Sequence, residues 1–133
     1  MADDKIIFDL VSPERLLLSE AAEMVTIPGS EGEMGVMAGH ESLITTLKPG
    51  VIDVKIEHGR HDKFFVTGGF AEVTATKLTV LAEEAIPVTH LDEATLQQRI
   101  IDAQEDIAIA KTDAEMQRAT EALEQYKRLL AAE

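Results

Sequence analysis

Glycine and proline are confined to one part of this 133-residue chain. All 8 Gly lie between Gly29 and Gly69, and all 4 Pro lie at or before Pro87. The remaining tail contains neither and is rich in Ala, Leu, Glu and Gln. Because glycine and proline break helices and the tail residues favour them, we predict strands and turns first and helices afterwards. The sequence therefore predicts two domains, 1–87 and 88–133.

Apolar and polar residues alternate with a period of two within the first domain. Residues 52–57 follow this pattern, and so do 71–76 and 77–82. Such alternation places one face of a strand in a core and the other in water, which is typical of antiparallel sheet. Turn pairs such as Pro49-Gly50 and Gly68-Gly69 separate the runs. These patterns predict a β-sandwich or flattened barrel of roughly eight to ten strands, each of about five or six residues.

The tail changes to the period of a helix. Apolar residues recur at steps of three and four in 96–110 and again in 116–130, so each segment has one apolar stripe. Between the segments, Thr112 and Glu115 have the S/T-x-x-E spacing of a capping box, which starts a new helix. Two such helices with a short connection fold back antiparallel, stripe against stripe.

Two further features of the tail concern its start and its stability. Thr89 and Asp92 repeat the capping spacing less strongly, and they predict a cap at Thr89 for the first helix. The many Ala residues in the predicted seam bury little area, so the hairpin is expected to be only marginally stable by itself. A marginally stable element can move, which suits a regulatory role.

Charge and composition exclude several classes of protein. The chain has 12 Lys+Arg against 25 Asp+Glu, a net charge of −13, which argues against nucleic acids and anionic membrane surfaces as partners. It has no Cys, and no apolar run approaches the ~20 residues of a membrane span. The start, Met1-Ala2-Asp3-Asp4, is too acidic for a signal peptide. We expect a soluble cytoplasmic protein that does not insert into a membrane.

The sequence predicts no catalytic, cofactor or metal site. Gly29, Gly32 and Gly35 lack the spacing of phosphate-binding loops, and Glu31 and Glu33 would repel a phosphate, so an exposed acidic turn that meets a partner is the preferred interpretation. There is no Cys nucleophile and no G-x-S-x-G motif.

A cluster of possible metal ligands has a simpler interpretation. His58, His61 and Asp62 carry donor atoms, but they fall in a predicted hairpin turn, where polar side chains are simply solvated. A binding or regulatory module is therefore the class that remains.

Several short motifs of the chain are specific when taken together. They read VSPE, PGSEGEMGVMAGH, LKPG, GGFAEV and TVLAE, at 11–14, 28–40, 47–50, 68–73 and 79–83. Their order and spacing resemble those of the epsilon subunit of bacterial F-type ATP synthases, which is equivalent to the mitochondrial delta subunit. The resemblance extends from about residue 6 to the end of the chain. It implies an α+β protein in which a ten-stranded antiparallel β-sandwich precedes an antiparallel two-helix hairpin.

The resemblance also implies a role and interface residues. Members of this family are noncatalytic parts of the rotating central stalk, at the cytoplasmic face of the bacterial inner membrane, and join the gamma subunit to the ring of c subunits. The family's ring-contacting loop corresponds to Glu31, Gly32 and Glu33, and its gamma-contacting histidine corresponds to His40. Carboxylates suit such a loop because they attract basic side chains of a partner.

In the same family the C-terminal helices regulate the enzyme. They move between a compact form and an extended form that inhibits ATP hydrolysis, which brings the α and β subunits within their reach. Some members bind ATP through an [IL]-D-x-x-R-A motif; here Asp92 is retained, but Thr95 and Leu96 replace Arg and Ala. Arg99 is the nearest following cation. Without the motif's guanidinium, weak ATP binding is expected, with Asp92 and Arg99 as the candidate residues.

Two other functions compete with this interpretation. One is a free-standing regulatory module in which an acidic β-sandwich presents a helical hairpin to some other partner. The other is an acidic hydrolase that uses Glu31, Glu33 and His40. Affinity isolation separates them, because only a stalk subunit is expected to be recovered with the α, β and gamma subunits.

Overall fold

The computed structural model describes residues 5–132 of the chain. The backbone divides into two compact units, one ending at Pro87 and the other beginning at Val88. Residues 1–4, on which the expectation of a missing signal peptide rested, lie outside the described residues.

Residues 5–87 of the first unit form ten strands, the upper end of the predicted number, and this confirms the predicted sandwich architecture. They are β1 (Ile6–Val11), β2 (Leu16–Ala22), β3 (Met24–Gly29), β4 (Gly32–Val36), β5 (Leu43–Leu47), β6 (Gly50–Lys55), β7 (His61–Val66), β8 (Gly69–Val73), β9 (Lys77–Ala82) and β10 (Ala85–Pro87). The turn pairs at 49–50 and 68–69 lie where strands begin, as their glycines predict.

The ten strands pair in one continuous path that folds over on itself. The order is β10-β7-β6-β3-β5-β8-β9-β1-β2, and β4 pairs with the other side of β3. β3 and β5 are joined by a single pair, Gly29 with Leu47, so the sheet has two halves that meet there. We call these the β6 half (β10, β7, β6, β3, β4) and the β9 half (β5, β8, β9, β1, β2).

The core lies between the two halves. Inward residues of both halves form one buried cluster, because alternate residues of each strand point to the same side. In β1, for example, Phe8 is fully buried while Ile7 is exposed. The largest fully buried side chains of this cluster, among the described residues, include Phe8, Ile6, Leu10, Ile27, Ile52, Leu78, Val25, Val36, Val54 and Val66.

One part of the predicted fold is wrong: the sheet is mixed and not purely antiparallel. β1 pairs with β9 in parallel, with Ile7 opposite Lys77 and Val11 opposite Leu81. Alternation of apolar residues and tight turns predict the direction of strands joined by hairpins. β1 and β9 are instead separated by seven intervening strands, so no local turn sets their relative direction.

The described part of the second unit, 88–132, forms two α-helices, α1 (Glu93–Ile109) and α2 (Asp113–Ala132), joined by only 110–112. Thr112 caps α2, since its Oγ1 accepts a hydrogen bond from the Glu115 amide at 3.1 Å. Glu115 reaches back to the amide of Lys111 at 3.0 Å, one residue before the usual position. The predicted capping residues of α2 are therefore confirmed.

The predicted cap of α1 is wrong. Thr89 lies in a short 3-10 turn, Val88–His90, and Asp92 is the capping residue. Asp92 Oδ1 accepts a hydrogen bond from the Thr95 amide at 2.8 Å. A carboxylate directly before the first helical residue reaches this amide, whereas Thr89 is separated from it by the 3-10 turn.

The two helices pack against each other as the predicted antiparallel hairpin. Arg99 of α1 donates from Nη1 to the hydroxyl of Tyr126 of α2 at 3.3 Å, and its guanidinium lies 5.8 Å from the tyrosine ring centre. Ala103 is also buried, as expected for a seam of small residues. Within residues 5–132, neither helix combines the length and apolarity that a membrane span requires.

Candidate subunit interfaces

The acidic turn predicted as a partner site is the tip of the β3–β4 hairpin. Gly29 pairs with Gly32, so Ser30 and Glu31 form a two-residue connection. Glu31 and Glu33 are both exposed, and neither forms an ion pair with any residue that the structure describes. Their carboxylates are therefore available to cations of a partner.

Two contacts hold this tip against the next strand. The hydroxyl groups of Ser30 and Thr45 lie 3.4 Å apart, and the amide of Lys48 donates to the carbonyl of Pro28 at 2.9 Å. These bonds tie the hairpin to β5 and to the residue that follows it. The acidic tip is thus a fixed projection of the sandwich, and a partner can bind it with little loss of backbone entropy.

His40 is positioned by a tight turn between β4 and β5. Its amide donates to the carbonyl of Met37 at 3.2 Å, and Gly39 has a φ of +88°, which suits the third position of a type II turn. The Gly39 amide in turn donates to the carbonyl of Ala75 at 2.7 Å, so the turn is held against the β8–β9 connection.

The ring of His40 is oriented by its own loop. Its Nδ1 lies 2.7 Å from the carbonyl oxygen of Glu41, and a carbonyl only accepts, so Nδ1 carries the hydrogen. In the neutral ring, Nε2 is then a hydrogen-bond acceptor. The half-buried position and fixed ring make His40 suitable for a directed contact with a partner.

The acidic tip and His40 lie at opposite ends of β4. The five residues of β4 span about 17 Å at the usual rise of a strand. A general acid and a general base that act on one bond must both lie within hydrogen-bond reach of it. This separation argues against the hydrolase hypothesis for Glu31, Glu33 and His40, and it leaves two distinct surfaces.

A third exposed surface was missed by the sequence analysis. On the outer face of the β9 half, Phe70 lies opposite Leu81, Leu81 opposite Val11, and Val11 opposite Leu16. Phe70 is 45% exposed, Leu81 38% and Leu16 55%. We call these four residues the apolar row.

The apolar row extends diagonally to another residue. Ile44 of β5 is 71% exposed and lies opposite Glu72, two residues along β8 from Phe70 and so on the same face. A contiguous apolar patch on a polar protein is typical of a binding surface. The signal for it was present in the sequence, because Phe70 and Leu81 occupy polar positions of otherwise alternating strands, but only the register of four strands assembles them.

The histidine cluster considered as a metal site has another role. His61 Nδ1 lies 2.7 Å from Asp53 Oδ1, between neighbouring strands β7 and β6. His58 is at the exposed tip of the β6–β7 turn. Within the part of the chain that the structure describes, no three His, Cys, Asp or Glu side chains are grouped for a metal ion.

The two candidate nucleotide-binding residues of the tail are each engaged elsewhere. Asp92 caps α1, and the hydrogen bonds from Thr95 hold the pKa of the Asp92 carboxyl below its usual value. Arg99 contacts Tyr126. Seven residues of helix separate them by about 10 Å, so the structure does not bring the two side chains together.

These features define a protein-interaction module in which a β-sandwich with several exposed surfaces precedes a helical hairpin. Comparison with known proteins is consistent with this class. A family model described as ATP synthase, Delta/Epsilon chain, beta-sandwich domain matches residues 5–88. The chain therefore belongs to the ATP synthase delta/epsilon chain family, which confirms the resemblance noted in its motifs.

Curated relatives match nearly the whole chain. An ATP synthase epsilon chain of Parvibaculum lavamentivorans is 52% identical over 126 residues, covering 95% of this chain and 96% of the relative. An ATP synthase epsilon chain of Mesorhizobium japonicum is 49% identical over 125 residues, covering 94% and 93%. The similarity thus includes the helical hairpin as well as the sandwich.

Solved structures also match nearly the whole chain. A chain of the Euglena gracilis mitochondrial ATP synthase, determined by cryo-EM together with its c-ring, is 32% identical with a TM-score of 0.77, over 97% of this chain and 81% of that one. A chain from the central stalk and c-ring of the Tetrahymena thermophila mitochondrial ATP synthase has a TM-score of 0.67 over 96% and 98%. At 14% identity, the second match shows the fold alone.

Proposed function

We propose that this chain is a noncatalytic subunit of the central stalk of a bacterial F-type ATP synthase, where it transmits rotation between the gamma subunit and the c-ring. A coupling subunit must hold two partners at once. The observation that carries the proposal is the presence of two exposed surfaces of different character on one rigid sandwich, the acidic tip and the apolar row. In this proposal the chain supplies contacts between subunits and no reacting group.

The acidic tip is the proposed contact with the c-ring. Glu31, Gly32 and Glu33 project at the end of the β3–β4 hairpin, and both carboxylates are exposed. Opposite charges across a polar interface steer association and fix orientation more than they add affinity. We expect basic side chains on the polar loops of the ring to face this tip.

The apolar row and His40 are the proposed contact with gamma. Permanent interfaces are more apolar than transient ones, and a rotor subunit must stay attached through each turn. The apolar row supplies the buried area, and His40, in the turn between β4 and β5, supplies a directed hydrogen bond. The proposed location follows from this assembly. The chain lies at the cytoplasmic face of the inner membrane and is attached to it only through the complex.

A charged side chain introduced into the apolar row should therefore weaken the binding of gamma. Phe70→Lys is expected to weaken gamma binding by at least about tenfold, because central aromatic residues of an interface contribute about 2 kcal/mol or more. Thr26→Lys is the matched control, since Thr26 lies on the outer face of the other half, opposite Asp53, where a cation is tolerated. Surface plasmon resonance with immobilised gamma measures both, and equal affinities would contradict the assignment of this face.

We also propose that the sandwich folds and binds gamma without the hairpin. The core cluster draws only on residues of the first unit, and the seam of the hairpin contains small residues such as Ala103. A chain ending at Pro87 is expected to keep the far-ultraviolet circular dichroism of a β protein and to bind gamma within about twofold of the full chain. A disordered truncated chain would show that the hairpin completes the core.

The hairpin is the proposed regulatory part, with the α and β subunits as partners when it inhibits ATP hydrolysis. We expect only weak binding of ATP, in the millimolar range or about −4 kcal/mol, because Thr95 lacks a guanidinium and Asp92 already caps α1. Isothermal titration calorimetry tests this on the full chain and on Thr95→Arg, which is expected to bind more tightly.

The design of this variant follows from the structure. Leu96 is buried, so restoring the family's Ala there would cost about 2 to 5 kcal/mol and would confuse the comparison. Thr95→Gln is the control for side-chain size without the charge. Micromolar binding by the unmodified chain would contradict the proposal and would point to Arg99 as the phosphate contact.

A further inference from the structure

One exposed carboxylate lies within the apolar surface of the β9 half. Glu72 of β8 follows Phe70 by two residues, so both side chains are on the outer face, with their Cα atoms about 7 Å apart at the usual rise of a strand. Across to β5, Glu72 lies directly opposite Ile44. Phe70, Glu72 and Ile44 are all exposed. The carboxylate therefore has an exposed apolar neighbour both along its own strand and on the next one.

The fold supplies no cation to Glu72. Its carboxylate forms no ion pair with any residue between 5 and 132. On the side away from Ile44, the residue opposite Glu72 is Thr79 of β9, which is neutral. In the free chain this negative charge is therefore stabilised by solvent.

Asp9 shows how the same face satisfies a carboxylate internally. It lies opposite Thr79 on the next strand, β1. Its Oδ1 accepts a hydrogen bond from Ser19 Oγ at 2.6 Å, and its Oδ2 lies 3.1 Å from Lys77 Nζ. The hydrogen bond from Ser19 and then the contact with Lys77 hold the pKa of the Asp9 carboxyl below its usual value. Asp9 thus needs no partner from another chain, whereas Glu72 has none within its own.

Covering the apolar surface changes the environment of Glu72. A partner that contacts Phe70 and Ile44 together must also cover Glu72, because it is the neighbour of both. Removing a carboxylate from water without a partner is strongly unfavourable. A cation from the other chain removes this penalty. Arginine suits the position, since its guanidinium is weakly hydrated and donates two hydrogen bonds to one carboxylate.

We propose that Glu72 selects the partner of the apolar row by forming a salt bridge with a cationic side chain of gamma. This inference rests on the proposed binding of gamma to the same face. The apolar row supplies contact area, which does not depend on exact register. Glu72 supplies the register, because a gamma surface with its cation elsewhere would leave the carboxylate buried and unpaired.

Glu72→Leu distinguishes a cationic partner from a purely apolar one. The variant makes this part of the surface continuous with its apolar neighbours, so a gamma surface without a cation would bind it more tightly than the unmodified chain. We expect the opposite result, a loss of affinity of at least about tenfold, because the cation of gamma would be left unpaired. Surface plasmon resonance with immobilised gamma measures this. Equal or tighter binding of Glu72→Leu would overturn the proposal.

Glu72→Gln tests the charge without a change of size. Loss of a buried ion pair acts mainly on dissociation, whereas loss of a peripheral charge acts mainly on association. We expect the dissociation rate to rise at least about tenfold and the association rate to change by less than about threefold. Glu105→Gln is the matched control, because it removes the same charge from an exposed position of α1, and it should change neither rate. Equal effects of the two variants, or an effect on association alone, would overturn the salt bridge.

Phe70→Lys, measured in the same experiment, separates this inference from the proposed function. If Phe70→Lys weakens gamma binding and the two Glu72 variants do not, gamma binds this face without the salt bridge and only the inference is overturned. If Phe70→Lys has no effect, gamma does not bind this face, and both the inference and the proposed contact are overturned. Urea midpoints of all four variants verify that each chain is folded.

Discussion

Replacing Gly69 by Ala is expected to destabilise the β-sandwich by about 3 kcal/mol or more, the largest loss of stability that we predict. Gly69 has a φ of +137°, a conformation that side chains rarely adopt, and a Cβ atom there would collide with the carbonyl oxygen of Leu81. The strand cannot move aside easily, because Gly69 pairs with Leu47 on one side and Ala82 on the other. Thermal or urea denaturation measures the loss.

Gly59→Ala separates the cost of the positive φ from the cost of the steric collision. Gly59 also has a positive φ, +75°, but nothing lies within 4 Å of the position that its Cβ would take. This variant should therefore lose only the backbone term, about 1 kcal/mol. If both glycine variants lost the same stability, the steric contact with Leu81 would not be the reason for glycine at position 69.

The largest functional effect is expected from reversing the charge of the acidic tip. Glu31→Lys combined with Glu33→Lys should reduce proton-driven ATP synthesis by at least about tenfold, because the two proposed attractive contacts with the ring would become repulsive. Both residues are exposed, so the free energy of unfolding should change by only about 0.5 kcal/mol. ATP synthesis by inverted membrane vesicles measures the first quantity, and urea denaturation of the isolated chain measures the second.

The control for this double variant carries the same change of charge elsewhere. Glu105→Lys with Glu124→Lys alters two exposed positions of the helices. It is expected to leave the rate of ATP synthesis within about twofold of the unmodified enzyme. Unchanged synthesis by the Glu31 and Glu33 variant, or an equal loss in the control, would contradict the proposed contact with the c-ring.

Local features of the sequence were sufficient to predict most of the fold. The confinement of glycine and proline separates strands from helices, and alternation identifies the inward residues, because both depend on neighbours along the chain. The cap at Thr112 was predictable for the same reason. The parallel pairing of β1 with β9 was not, since it joins strands distant in sequence whose direction no turn determines.

The proposed surfaces also differ in how far the sequence alone could predict them. The acidic tip consists of a two-residue turn and the first residues of β4, which are neighbours in sequence, so its exposure could be predicted from the residues alone. The apolar row combines side chains of four strands, and its continuity depends on the register between them. This register is a tertiary property, and a single sequence carries no local sign of it.

Affinity isolation of the chain from native membranes tests the proposed stalk function most directly. A tagged copy replaces the natural one, the membranes are solubilised in a mild detergent, and the recovered proteins are identified by mass spectrometry. We predict recovery of the gamma subunit together with α, β and c subunits, and loss of gamma from the Phe70→Lys variant. Recovery of the chain alone, or with a partner outside the ATP synthase, would contradict the proposed role and favour a free-standing regulatory module.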